Sequence, residues 1–261
     1  MKLRLVLQLV SGLTIAPSVI YGGSFELFLN GVRSEYAAQQ YPRLSDLKEL
    51  LPANMPVDGL IWIRSSHLSS QVAPYEQCLE KAEALTWSLY PRDLLVSERQ
   101  SVKESIRALL LKSQPTGRIL EYGSLDPGDL DANDFLDRRI RGGDQFILDL
   151  RLELIWTWDY LMGWREQPHR PTNTAHSYAL ESIASGAARG DWAYQVSPSG
   201  KVTLVGLAGF NRSSDPVPNG SILFFPPPGL GRGNQPAYEC IASMLAVQVP
   251  TFLDARKWWS R

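Results

Sequence analysis

Arg118, in the stretch PTGRILEYG, is the residue whose type and setting point most directly to binding chemistry. It follows a Thr116-Gly117 turn and opens a run of strand-forming residues. From such a place a guanidinium fork projects into a cleft and holds a carboxylate or phosphate through two parallel hydrogen bonds. Glu121 and Tyr122 lie within a few residues of it and complete the candidate binding set, with Asp126 as a further nearby carboxylate. The alternative is an ordinary salt bridge between Arg118 and one of these acids, the commoner outcome at a surface. Cleaving a glycosidic bond would need two carboxyl groups about 5 to 9 Å apart, and no such pair is defined by spacing alone. No residue is therefore assigned a catalytic role.

Other reactive types are dispersed. His67, His169 and His176 form no HExxH or comparable ligand spacing with a cysteine or carboxylate. Asp129, Asp131 and Asn133 resemble the first ligands of a calcium loop, but Asp134 stands where that loop needs glycine and Ile140 where it needs glutamate. There is no G-x-S-x-G elbow, phosphate-binding loop or dinucleotide fingerprint. Neither a metal nor another cofactor is expected. Cys78 and Cys240, the only cysteines, are open to two readings: one disulfide in an oxidising compartment, or two buried thiols. Trp156, Trp158, Tyr160, Trp164, Trp192 and Tyr194 are numerous enough to offer stacking surfaces for sugars, yet the first two alternate with leucines in a way that argues for burial.

These residues sit in a chain of 261, long enough for two cores, with 44% hydrophobic and 20% charged residues, which excludes general disorder. Lys and Arg number 26 against 27 Asp and Glu, so nucleic acid is not an expected partner. The Arg138, Arg139, Arg141 run is the one local surplus of positive charge and reads as a solvated loop. At the N-terminus, Lys2 and Arg4 precede an apolar stretch and small residues at Ala16 and Ser18, the layout of a secretory signal peptide over residues 1–22. A buried first strand or helix is the alternative. After that leader no run is long and apolar enough to predict a membrane-spanning helix.

The elements that must position the candidate residues are mostly strands. SFELFLNGVRSEYAA alternates around Asn30-Gly31, a hairpin signal. PRLSDLKELL predicts a short helix capped by Ser45, and DGLIWIRSS and TGRILEY predict further strands. Between them, about 70–113, Cys78, Leu79, Ala82 and Leu85, then Val102, Ile106, Leu109 and Leu110, recur at three- and four-residue steps, predicting a helical insertion broken near Pro91. In GGDQFILDLRLELIWTW every second residue from Phe146 to Trp158 is large and apolar. Such a run would extend for roughly 43 Å, far beyond the usual strand of five or six residues. It reads as the last strand of one domain passing, near Leu150 to Leu152, into the first strand of the next, with no Gly or Pro to loosen the seam. The groove between the two domains is then the place to look for function. A strand pair ending at WREQP, a helix in TAHSYALESIASG, a hairpin at Pro198-Ser199-Gly200 and a closing strand in SILFFPPP follow.

The two halves repeat one order of strand, turn, strand, helix and further strands, ending in a glycine turn and an apolar strand. This predicts an α+β fold of two tandem β-grasp (ubiquitin-like roll) domains, 24–150 with the insertion and 151–228, followed by a C-terminal amphipathic helix and tail over 229–261. Within that tail Ile241, Met244, Leu245 and Val249 share a side, which favours docking on the chain itself over docking on a partner.

The segment GDWAYQVSPSGKVTLVGLAGFNRSSDPVPNGSILFFPPPG resembles the closing half of the β-grasp domains in outer-membrane polysaccharide export proteins. Together with the leader, the tandem domains, the insertion and the C-terminal helix, the chain is similar to the capsule biosynthesis GfcC family, periplasmic proteins of group 4 capsule loci. The resemblance implies a periplasmic accessory role in capsule or exopolysaccharide assembly or export, with capsular polysaccharide, the outer-membrane export protein or both as partners. An enzyme acting on the glycan around Arg118 is the second expectation, disfavoured by the missing catalytic signature. The chain shows no export-signature domain and no lipid-anchoring cysteine, which weighs against its forming the pore.

Overall fold

The computed structural model describes residues 23–30, 32–41, 43–51, 60–85, 96–120, 138–148, 153–183, 190–227 and 232–247. The leader, Pro91, the acidic stretch around Asp126, the seam at 149–152 and the end of the tail lie outside them. The fold is α+β, with two five-stranded mixed sheets and five α-helices among the described residues.

The first sheet takes β1 (Ser24–Leu29), β2 (Val32–Ala37), β3 (Ile61–Ile63), β4 (Arg118–Ile119) and β5 (Gln145–Leu148), in the order β2-β1-β5-β3-β4. Leu29 pairs with Val32 across a two-residue turn in which Asn30 adopts φ 48°, the left-handed region that asparagine tolerates. A four-residue helix, α1 (Leu44–Leu47), starts one residue before the predicted cap. Arg43 is tied to Arg139 by an isolated bridge, and its amide donates to Asp46 Oδ2 at 2.8 Å, so Arg43 rather than Ser45 begins the turn. Leu44 and Leu47 close a core with Phe25, Leu27, Trp62 and Phe146, where Trp62 stacks on Phe146 at 5.5 Å.

The second sheet takes β6 (Leu154–Asp159), β7 (Gly163–Pro168), β8 (Trp192–Val196), β9 (Val202–Gly206) and β10 (Ile222–Phe225), in the order β7-β6-β10-β8-β9. Strand for strand this repeats the first sheet, including a parallel pair between the first and last strands and a helix after the second strand, here α4 (Ala175–Ile183). Gly200, at φ 87°, turns the β8–β9 hairpin where Val196 meets Val202.

The period-2 run has one buried and one wetter face in β5, where Phe146 and Leu148 are buried and Gln145 and Ile147 are not, but the wetter face is lost in β6. There Ile155 through Asp159 are all buried, because helices cover both sides of the second sheet. Ile155, Leu223 and Phe225 pack with Tyr178 and Ala179 of α4. Trp156, Trp158, Ile222 and Phe224 enter a separate core on the other side. Polar groups buried in β6 are paired: Gln167 Nε2 donates to Thr157 Oγ1 at 3.1 Å, and Asp159 accepts from the amides of Leu161 and Met162 and pairs with Arg165.

That other core is built with helices from elsewhere in the chain. α5 (Gln235–Val247) lies against β8 and β9, α2 (Leu68–Glu83) lies against α5, and α3 (Val96–Lys112) against α2. The helical insertion of the first half thus belongs in space to the second. Cys78 of α2 and Cys240 of α5 form a disulfide across 162 residues, with Cα atoms 5.6 Å apart, which settles their two readings in favour of pairing.

Candidate functional site

Arg118 sits where the two halves meet. Gly117, at φ 80°, brings its backbone so close to Arg64 that a Cβ would fall 2.5 Å from the Arg64 carbonyl oxygen, so only glycine fits. Gln71 of α2, buried, clamps this turn from both sides: its Oε1 accepts from the Gly117 amide at 2.9 Å and its Nε2 donates to the Arg118 carbonyl at 2.7 Å. The Arg118 guanidinium then crosses to the second half, donating through Nη1 to the Ala246 carbonyl at 3.1 Å and through Nη2 to the Pro198 carbonyl. Thr116 Oγ1 donates to the Val247 carbonyl at 2.8 Å. Ala246 and Val247 end α5, where carbonyls lack partners within the helix and the helix dipole is negative, so a hydroxyl and a cation cap it.

The fork at Arg118 is therefore engaged with backbone, and the residue is only 2% exposed. Arg118 is at the same time a lining residue of a cleft, its two terminal nitrogens held by carbonyls of the second half. Glu121, Tyr122 and Asp126 lie outside the described residues. A cleft of about 290 Å³ does adjoin Arg118, lined by His67, Ser70, Gln71, Pro74, Ile119, Leu120, Arg138, Met244 and Val247. Its walls come from α2 and the turn before it, β4, the loop before β5, and α5. The described lining contains no carboxylate, while Arg138 and His67 bring cationic or titratable nitrogen and Ser70 brings a hydroxyl close to His67 Nδ1 at 3.4 Å. Ser70 Oγ donates to the His67 carbonyl at 2.7 Å, leaving its oxygen as an acceptor, while Arg138 brings charged donors suited to an oxyanion.

Gln71 and Arg138 are the participants that residue spacing did not reveal. Gln71 lies near the start of the predicted insertion and Arg138 in the run of arginines, and neither position carries a local signature. Among the described residues no three His, Cys, Asp or Glu side chains cluster as a metal set, and no helix is long and apolar enough to cross a membrane. The late-titrating phenols lie elsewhere, in the core between the second sheet and α5: burial, then the charge of Glu239, pushes Tyr194 up to about 12, and burial, then Tyr194, raises Tyr238. Asn211, after β9, ties its loop to the residue before β8, accepting from the Ala208 amide at 2.9 Å and donating to the Asp191 carbonyl at 3.1 Å.

No protein-family model matches the chain, and no curated protein matches it either.

Proposed function

We propose that this protein is a periplasmic accessory factor in capsule or exopolysaccharide assembly or export, and that its cleft beside Arg118 binds polysaccharide presented by the export machinery. The observation that carries the reading is the duplicated sheet: both halves have the order 2-1-5-3-4 with a parallel central pair and a helix after the second strand, which supports reading each half as a β-grasp roll. Two such rolls in tandem, a helical insertion and a docked helix near the C-terminus are the features on which the similarity to GfcC-type proteins rests. The disulfide supports an oxidising compartment, in keeping with the leader-like N-terminus. The charged donors that Arg138 brings to the cleft support binding of a glycan that carries oxyanions.

The test uses purified protein with polysaccharide extracted from a producing cell, scored for retention and for release of reducing ends. Arg138→Gln is the informative variant, because it changes the cleft wall without touching the Arg118 clamp. Retention without new reducing ends, weakened in the variant, is expected. Cleavage of the chain would overturn the binding reading in favour of an enzyme, and absence of both glycan retention and capture of the export protein would overturn it altogether.

A further inference from the structure

Three arginines leave the cleft in sequence, and the backbone that carries them is unusually well pinned. Asp144, buried, receives the Arg64 fork through Nε at 2.8 Å and Nη2 at 2.7 Å, and also accepts from the Arg141 amide at 2.9 Å. Arg64 Nη2 donates further to the Arg139 carbonyl at 2.8 Å, and the Arg64 guanidinium lies 4.7 Å from the centre of the Trp62 ring. The Leu44 amide holds the Arg138 carbonyl at 3.1 Å. Ile140 is sunk in the first core, so alternation leaves Arg139 and Arg141 exposed on the opposite side while Arg138 lines the cleft. Among the described residues none of these three guanidinium groups has an ion pair or hydrogen bond.

Three like charges on a rigid backbone repel one another and are stabilised only by water or by an anion. A solvated loop would not need its carbonyls and amides fixed at residues 138, 139, 141 and 144. We propose that Arg138, Arg139 and Arg141 form an anion-binding strip that makes the protein select acidic polysaccharide, a chain bearing repeated carboxylate or phosphate oxyanions, over neutral glycan. The inference rests on the polysaccharide-binding reading of the cleft and names the chemical class that the cleft takes. Arg138 meets the chain inside the cleft; Arg139 and Arg141 hold its continuation outside. Guanidinium is suited to this because it stays charged at every working pH and matches oxyanions with two parallel donors.

The experiment measures binding of the full protein to polygalacturonate and to neutral dextran over a range of salt. The wild type is expected to retain polygalacturonate and not dextran, with affinity falling as salt rises. R139S/R141S is expected to lose about tenfold at low salt and to show a shallower salt dependence, since two charge contacts are gone. R139K/R141K, which keeps the charge, retains most of the binding, and R212S, which removes an exposed arginine from the second half, leaves it unchanged. An R139S/R141S protein that binds like wild type, or an R212S protein that weakens equally, would overturn the strip. So would retention by phosphatidylglycerol vesicles with none by polygalacturonate. Equal retention of dextran and polygalacturonate would overturn the selectivity while leaving the cleft reading intact; failure to retain either polymer or the native polysaccharide would remove both.

Discussion

The two sheets share one strand order yet live in different surroundings. In the first, β5 alternates between buried and partly exposed residues, β1 does so only as far as the consecutive buried Leu27 and Phe28, and among the described residues the four-residue α1 closes the core. In the second, all four residues of β10 are buried, with α4 on one side and α2, α3 and α5 on the other. The same topology therefore appears once with α1 as the helix closing its described core and once as the middle layer of a sandwich. The difference shows how a repeat acquires two roles: one half supplies the scaffold, and the other lends its insertion to that scaffold while keeping its own edge for the cleft and the arginine strip.

The largest effect expected from breaking this asymmetry is at Trp158, fully buried between the second sheet and the helices. Trp158→Ala should cost about 3–5 kcal/mol, read from urea unfolding, and should loosen α2 and α3 as well, because they share that core. If α2 and α3 remain as protected from proteolysis as before, the insertion does not depend on the second sheet and the comparison fails.

Removing the disulfide comes next. A Cys78→Ser/Cys240→Ser protein, or reductant added to the wild type, should lose about 2–4 kcal/mol, since the bond closes a long loop and ties insertion to C-terminal helix. Thermal unfolding with and without reductant measures it, and the first core, which the bond does not enter, should be the less affected.

Arg118→Met sharpens the description of the seam. The substitution keeps much of the volume but strips donors from the Ala246 and Pro198 carbonyls, at a cost of about 1–3 kcal/mol. If Arg118 were instead a ligand fork, stability would hold and glycan retention alone would fall. A smaller effect distinguishes the halves at alkaline pH. Tyr194 has its pKa raised from 10.0 to about 12 in the folded protein, so folding favours the neutral phenol. Its contribution is complete below pH 10 and is lost as pH rises towards 12, which should destabilise the second half first. Ultraviolet titration of tyrosinate alongside unfolding follows it. Smallest of all, the Tyr238 hydroxyl is buried with no hydrogen-bond partner among the described residues, so Tyr238→Phe should be neutral or stabilising by up to about 1 kcal/mol in thermal unfolding.

Period-2 and three-to-four-residue patterns made most elements legible: Asn30-Gly31 marked the first hairpin, Gly200 the third, and the spacing of Cys78, Ala82, Val102 and Ile106 the insertion helices. The repeat of the two halves was legible too, since hydrophobic order along a strand records which residues face a core. At the site, the turn chemistry drew attention to Arg118 but not to its partners.

What the sequence by itself determined is local: the strands and their turns, the helical insertion, the order that recurs, and the presence of two cysteines. Only the tertiary structure decided that the insertion covers the second sheet, that Cys78 meets Cys240, and that Arg118 caps α5 instead of facing open solvent. The physical reason is that periodicity reports burial but not what does the burying. The contacts made by Arg118 with Ala246 span 128 residues, and no local pattern in the chain specifies a partner at that distance.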